Sequence, residues 1–504
     1  MTQYIIGIDI GTSSTKAILM TTAGDIISQG RVSYSLENPY PEWAQENADD
    51  WLNAATTLIK DLAEKVDSKN IIGIGIDGLY GGSGVPVDKA GQPLGPALIW
   101  MDRRATEETD QALKLVSKSE LMDITGNLAD PYYGYTKIMW LKQHRPELYR
   151  DTYQFLPPES YVIYKLTGNI SINYSAAGNL AGVFNINDDE WSPELADKLG
   201  IDLKKLPQKM IASTDVAGKV SDEWARKLDI NPGTPIFNTG VDVGPATVGT
   251  GVLGAGRMTI ALGTSMNAAL VTDKPLKDDN LIIWPYAYKP KEYYYNFAGA
   301  NTAGAVIAWF TREFAQEVDN NNGTRMLDEE SEAVPAGSNG LIVLPYFMGE
   351  RSPIWDSNVR GTIFGISMTT KRYEMFNAFQ EAIAYSVRQS IEQFGDYIGD
   401  SFTLVGGVSN SKKMVQIIAD VTGKTVKTTD SGGEADLGSA ILAGIGLDQI
   451  HPEDAEKWIK INEKVEPDLV KHEKYNKYYE LYRLAYTDTK GFYEKYSDLL
   501  NDQN

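Results

Sequence analysis

The sequence predicts an α/β protein built from two related lobes, and three observations carry that prediction. Residues 4–31 read as short apolar runs broken by turn residues, which is the pattern of a three-stranded meander. Residues 257–272 repeat its first part, strand, Gly-Thr-Ser turn, strand, at roughly half the chain length, the mark of an internal duplication rather than a solenoid. Between and after these hairpins, β-rich runs alternate with stretches of helical apolar spacing.

In chain order, the first strand is Tyr4-Ile-Ile-Gly-Ile-Asp9-Ile, followed by the turn Gly11-Thr12-Ser13 and the strand Lys16-Ala-Ile-Leu-Met. Residues 48–66 have the spacing of an amphipathic helix, and 71–77 form a buried strand. Glycines cluster at 244, 249, 251, 254 and 256, so the lobe boundary is expected there, giving lobes 1–247 and 248–504. In the second lobe, Met258–Leu262 and Met266–Val271 flank the turn Gly263-Thr264-Ser265. Residues 371–394 read as a long helix, 402–405 as a strand and 411–422 as a helix. The aromatic residues Tyr475, Tyr478, Tyr479, Tyr482, Tyr486, Phe492, Tyr493 and Tyr496 recur at helical spacing and are expected to pack into a core.

The bulk properties exclude several functions. A net charge of −21 repels phosphodiester backbones, so nucleic acid is not an expected partner. With no cysteine, thiolate catalysis, disulfides and cysteine-held metals are ruled out, and a reducing cytoplasm is the expected compartment. The N-terminus places Asp9 and Lys16 where a signal peptide would be apolar, and no window is long and apolar enough for a membrane span. Histidine occurs three times only, so a general base in this chain is expected to be a carboxylate.

Four motifs can carry chemistry. Asp9-Ile-Gly-Thr-Ser-Ser is a tight turn whose N–H groups and hydroxyls, from Gly11, Thr12 and Ser13, can cradle phosphate, with an acid beside it to orient a hydrated magnesium ion. A hairpin that merely needs a flexible turn is the plainer reading, and the second Gly-Thr-Ser turn argues against it. Gly240-Val-Asp242-Val-Gly244 places an acid near the boundary, where it can accept a hydroxyl proton or simply cap the next segment. Trp100-Met-Asp102-Arg103-Arg104 offers hydrogen-bond acceptors and a guanidinium to a polyol, or a salt-bridged helix start. Gly406-Gly407-Val-Ser-Asn410-Ser411 joins a strand to a capped helix, where a nucleotide can approach the backbone, or is a plain turn. Gly73-x-Gly75-x-x-Gly78 matches a dinucleotide fingerprint in letters only, because its glycines lie inside a strand and a turn-rich run follows.

Taken together, and over nearly the whole chain, these segments resemble the FGGY family of carbohydrate kinases. The resemblance also includes Lys137–His144, Gly349-Glu-Arg351-Ser-Pro353, Gly361–Gly365 and Glu434-Ala-Asp-Leu-Gly438-Ser-Ala. It implies an actin-like (ribonuclease H-like), duplicated, two-lobed ATPase fold with an interlobe cleft. It also implies ATP and Mg²⁺ as cofactors and a small sugar or sugar acid as acceptor; a homodimer is compatible with it. Carried over residue by residue, it makes Asp242 the base and Asp9 the residue that places Mg²⁺. Gly11, Thr12, Ser13, Gly263, Thr264 and Ser265 would hold phosphates; Gly304, Gly406, Gly407, Asn410 and Ser411 would lie near the nucleoside. Tyr80, Gly81, Asp102, Arg103 and Asp242 would line the sugar site.

The family pattern is not followed everywhere. Gly134, Phe379 and Gln380 depart from its signatures, and Asp77-Gly-Leu-Tyr80-Gly-Gly-Ser-Gly lacks the runs typical of xylulose and glycerol kinases. Arg103 and Arg104 could pair with a carboxylate, which turns the expectation toward gluconate, with xylulose, ribulose and polyols as alternatives. A non-catalytic ATP-binding protein and a nicotinamide-dependent oxidoreductase are the competing classes.

Overall fold

In the computed structural model, which describes residues 2–317, 323–429 and 434–501, the chain divides into two compact units. The first comprises residues 1–255, 271–296 and 433–459; the second comprises 256–270, 297–432 and 460–504.

The first unit is organised by a six-stranded sheet. Its strands are β1 (Tyr4–Ile10), β2 (Ser14–Thr21), β3 (Ile26–Ser33), β4 (Ile71–Gly78), β5 (Val216–Lys219) and β6 (Pro235–Val241), in the order β5-β6-β4-β1-β2-β3. The meander β1-β2-β3 is antiparallel, and β4 and β6 add as parallel strands on its other side. β1 and β4 are continuous apolar runs buried on both faces, whereas the edge strand β3 is largely exposed. The helix Ala48–Ala63 starts where Asn47 caps it by accepting from the Asp49 N–H, and its apolar face with Trp51 and Leu58 closes one side of the sheet.

The other face is covered by the helix Ala435–Gly446, and glycine lets it come very close. A Cβ on Gly7 would sit 2.8 Å from the Ala440 nitrogen, and one on Gly75 would sit 2.7 Å from the Ser439 carbonyl carbon. This is the structural use of Gly75 in the rejected fingerprint: helix-on-strand contact within β4, with no nucleotide turn.

The second unit has a sheet of related topology. β7 (Arg257–Leu262) and β8 (Met266–Thr272) form its hairpin; β9 (Ser401–Val405), β10 (Thr425–Thr429) and β11 (Ile461–Val465) follow. Their order is β8-β7-β9-β10-β11, with β7/β9 and β9/β10 parallel. A hairpin extended by two parallel strands thus occurs once in each unit, as the sequence repeat predicts. The long helix is Arg372–Ile391, and the tail is one helix, Leu469–Asn501. Tyr475, Tyr479, Tyr482 and Tyr493 are buried, with Tyr482 packed on Tyr346 and Tyr385, so the stripe is core packing. Tyr478 and Tyr486 are half-buried, and Phe492 and Tyr496 are exposed. No helix among the described residues is long and apolar enough to cross a membrane.

Candidate active site

Three neighbouring parallel strands of the first unit end in acids. Asp9 in β1 is paired in register with Asp77 in β4, and Asp77 is paired with Gly240 in β6, two residues before Asp242. Parallel pairing puts these groups at the same end of the sheet, where open α/β sheets hold their ligands. A fourth acid, Asp436, enters from the first turn of the helix Ala435–Gly446.

The cluster is crowded with like charge. Burial, then the nearby Asp9 charge, pushes the Asp242 carboxyl up to about 7. The same two causes, in the same order, raise Asp436 to about 7. Asp77 is fully buried; burial and then Asp9 raise it well above the usual carboxylate range, although the Ser439 hydroxyl donates to its Oδ2. Its Oδ1 has no hydrogen-bond partner. Asp9 is raised by burial against the pull of Lys16, whose Nζ lies 3.6 Å from its Oδ2. Lys16 is also the cation acting on Asp242 and Asp436.

These residues fit a divalent cation of the magnesium kind. The acids outnumber the cation that faces them, and Asp77 has an orphaned buried oxygen. Among the described residues no three metal-ligating side chains converge, so an ion would take one or two carboxylates and complete its shell with water and phosphate oxygens, as Mg²⁺ does.

Asp242 itself is aimed by its backbone. Its N–H donates to the Gly78 carbonyl at 3.0 Å, and its Oδ1 accepts from the Val243 N–H at 2.7 Å, capping the helix Val243–Val248. It is half-buried. A carboxylate with a pKa near 7 is a matched general base at neutral pH.

The first turn is ready to meet an anion. The Tyr34 hydroxyl donates to the Gly11 carbonyl at 2.5 Å, and the Tyr34 N–H donates to the Ser13 carbonyl at 3.1 Å. Trp100 Nε1 donates to the Thr12 hydroxyl at 3.1 Å. The Gly11 N–H is already closed onto the Ser14 carbonyl at 3.1 Å, so the Thr12 and Ser13 groups are the donors that the turn offers to phosphate.

The residues expected at the sugar site are more enclosed than the sequence suggests. Tyr80 is buried, and Gly81 adopts φ +92° beneath Trp100 and Tyr132. Asp102 is fully buried with both oxygens committed: Oδ2 accepts from the Ala44 N–H and from Arg104, and Oδ1 from the Arg104 N–H and Nε. Arg104 is stacked 3.7 Å from the Trp43 ring centroid, and Arg103 pairs with Asp130. The expectation that Asp102 accepts from substrate hydroxyls therefore needs correction, because its acceptor capacity is spent on Arg104 and Ala44.

In the second unit, Gly263-Thr264-Ser265 joins β7 to β8 as an exposed turn. The Gly304 N–H donates to the Gly263 carbonyl at 2.8 Å, and a Cβ on Gly304 would lie 2.6 Å from that oxygen. Gly406, at φ +95°, sits against Leu262 at the end of β7. The fold thus gathers Gly263–Ser265, Gly304 and Gly406 at one end of this sheet. Gly407 and Asn410 are exposed nearby, and a Cβ on Gly407 would meet open space. Ser411 is spent as a helix cap: its oxygen accepts from the Met414 N–H, and its hydroxyl donates to Asp328.

Asp77, Asp436 and the buried Lys137, whose Nζ donates to the carbonyls of Gly81, Pro131 and Tyr132, were not identified as site residues from sequence. A signal was present for the first. Gly-Ile-Asp occurs at 7–9 and again at 75–77, and Gly-Val-Asp at 240–242. Each tripeptide is a strand end that delivers an acid.

The sequence and the fold are similar to those of known proteins. The model of the FGGY family of carbohydrate kinases matches residues 4–249 with its N-terminal domain and 258–447 with its C-terminal domain. The chain is 31% identical to a xylulose kinase of Bacillus subtilis (strain 168) over 97% of both chains. It is 27% identical to a gluconokinase of the same organism over 90% of both. A ligand-bound xylulose kinase structure from Lactobacillus acidophilus superposes with a TM-score of 0.92 at 24% identity, covering 98% of this chain and 100% of that one.

Proposed function

The chain belongs to the FGGY family of carbohydrate kinases, which are ATP-dependent phosphotransferases with the actin-like fold, and we propose that it phosphorylates a hydroxyl of a neutral ketopentose, xylulose first among them. The observation that carries the reaction is the placement of Asp242, half-buried among acids and held near neutrality. Asp242 takes the proton of the acceptor hydroxyl. The freed oxygen forms a bond to the γ-phosphorus as the bond to the ADP oxygen breaks, and ADP leaves. Thr12 and Ser13 in the first turn, and Thr264 and Ser265 in the second, supply donors to phosphate oxygens, while Gly11 and Gly263 close their turns by donating to the Ser14 and Ser265 carbonyls. Gly304, Gly406, Gly407 and Asn410 shape the nucleoside end. Asp9, beside Asp77, is the residue that would hold Mg²⁺; that ion, when bound, neutralises charge on the phosphates. ATP as donor suits a cytoplasmic enzyme, the compartment that the cysteine-free sequence suggests.

The choice of acceptor rests on two points. A relative named xylulose kinase is similar over nearly the full length. The case for gluconate relied on a free cation at Arg103 or Arg104, and both guanidiniums are already paired with carboxylates, Asp130 and Asp102. Gluconate is the second reading, supported by the similarity to a gluconokinase. A coupled ADP-release assay across xylulose, ribulose, gluconate and glycerol decides between them. The highest kcat/KM is expected with a ketopentose; a preference for gluconate would overturn the choice of acceptor.

A further inference from the structure

The strand that delivers Asp242 is irregular just before it does so. In the pairing of β6 with β4, Asn238 faces Ile76 and Gly240 faces Asp77, so Thr239 is an extra residue, a β-bulge. A bulge interrupts the ladder, and its backbone groups must find other partners. Here side chains supply them. The Gly240 N–H donates to Asn238 Oδ1 at 3.2 Å, and the Val241 N–H donates to the Ser175 Oγ at 3.0 Å. Asn173 Nδ2 donates to the Asn238 carbonyl at 2.8 Å, and the Ser175 hydroxyl donates to Asn173 Oδ1 at 2.8 Å. Asn173, Ser175, Asn238 and Thr239 are all fully buried. Gly240 adopts φ +91°, and a Cβ there would lie 2.6 Å from Asn173 Oδ1 and collide with Ser175 Oγ. Asn173 caps the helix Tyr174–Leu180 and Ser175 lies in its first turn, so the pair is carried on a regular element.

We propose that Ser175, oriented by Asn173, is a positioning residue for the phosphoryl transfer: it holds the bulged end of β6 and thereby fixes the direction of the Asp242 carboxylate. The proposal rests on the reading of Asp242 as the base. Bulges recur beside active sites because they re-aim one side chain without moving the strand. The hydroxyl touches neither ATP nor sugar in this assignment; it acts through the Val241 N–H, one residue before the base.

A double-mutant cycle tests this. Ser175→Ala and Ser175→Thr are made in the unmodified chain and in Asp242→Asn, with kcat, both KM values and the thermal midpoint measured for each. Ser175→Ala is expected to lower kcat about 10- to 100-fold, the cost of misplacing a catalytic group, with the ATP KM little changed. Ser175→Thr, which keeps the hydroxyl, is expected to recover most of the rate. In the Asp242→Asn background, Ser175→Ala should leave the residual rate unchanged, because no base remains to be aimed. Equal losses in both backgrounds, or an unchanged kcat in folded Ser175→Ala, would overturn the proposal while the base assignment stands. If Asp242→Asn alone retains full turnover, the base assignment fails instead. Should Ser175→Ala not fold, Ser175→Cys fills the same space as a weak acceptor and takes its place in the cycle.

Discussion

Asp9 and Asp77 lie side by side on β1 and β4, paired in register, and Asp77 is sealed from solvent with one oxygen lacking a partner. Two acids forced together in this way are affordable only if a proton or a metal ion accompanies them. Much of the behaviour of the site follows from that pairing.

Stability should fall as pH rises. Asp77, Asp242 and Asp436 all have folded pKa values raised above their ordinary ones, so the folded chain holds protons that the unfolded chain has released. That stabilisation is fully present below the unfolded value, about 4, and is lost as pH rises through about 7. The ligand-free thermal midpoint should therefore be higher at pH 5.5 than at pH 8, as thermal scans would read. Asp77→Asn, neutral at every pH and still able to accept from Ser439, should raise the midpoint at pH 8, by about 1–2 °C for each kcal/mol gained. The gain should shrink as pH falls and vanish below about pH 4.

Gly304 should matter to ATP and not to the sugar. Its backbone lies against the Gly263 carbonyl, and a methyl group there has no room. Gly304→Ala should push the turn 263–265 out of place and raise the ATP KM roughly tenfold or more, a loss of about 1–2 kcal/mol. Gly399→Ala is the control, since a Cβ there meets open space and the residue has no assigned part in the site. Equal ATP KM values for the two variants would remove the 304 contact from the nucleotide site.

Asp102→Ala should act on folding first. It strands the buried Arg104 guanidinium, and breaking a buried pair costs about 3–5 kcal/mol. The thermal midpoint should drop before any selective change in sugar KM is seen. A large rise in sugar KM with an unchanged midpoint would return Asp102 to the substrate wall.

The fold was legible because its signals are local. The hairpin at Gly11, the buried run at 71–77 and the tyrosine stripe each announce themselves through apolar period and turn residues, and each appears where the pattern puts it. The acid cluster was only half legible. Asp9, near the end of a strand, and Asp242, just after one, belong to motifs that resemble a family pattern; the Gly-Ile-Asp of Asp77 repeats the motif, but its place beside Asp9 comes from strand register and that of Asp436 from helix packing, which no local window contains. Asp102 shows the reverse error. A run of Asp-Arg-Arg reads as a ligand clamp until the fold brings Trp43 and Ala44 onto it and closes the pair among its own residues. Ser175 gave no signal, because its role exists only where the bulge in β6 meets the helix Tyr174–Leu180.

The most direct measurement is the turnover of Asp242→Asn across pH. In the unmodified chain, kcat should rise with pH through about 7 as the Asp242 carboxyl loses its proton. Asparagine keeps the shape but cannot accept that proton. General-base catalysis contributes about 10²–10⁴-fold, so kcat should fall by that factor and lose its acid limb, while ATP binding measured by calorimetry persists. Turnover of the preferred sugar within a few-fold of the unmodified chain, with the acid limb intact, would contradict the assignment of Asp242 as the base.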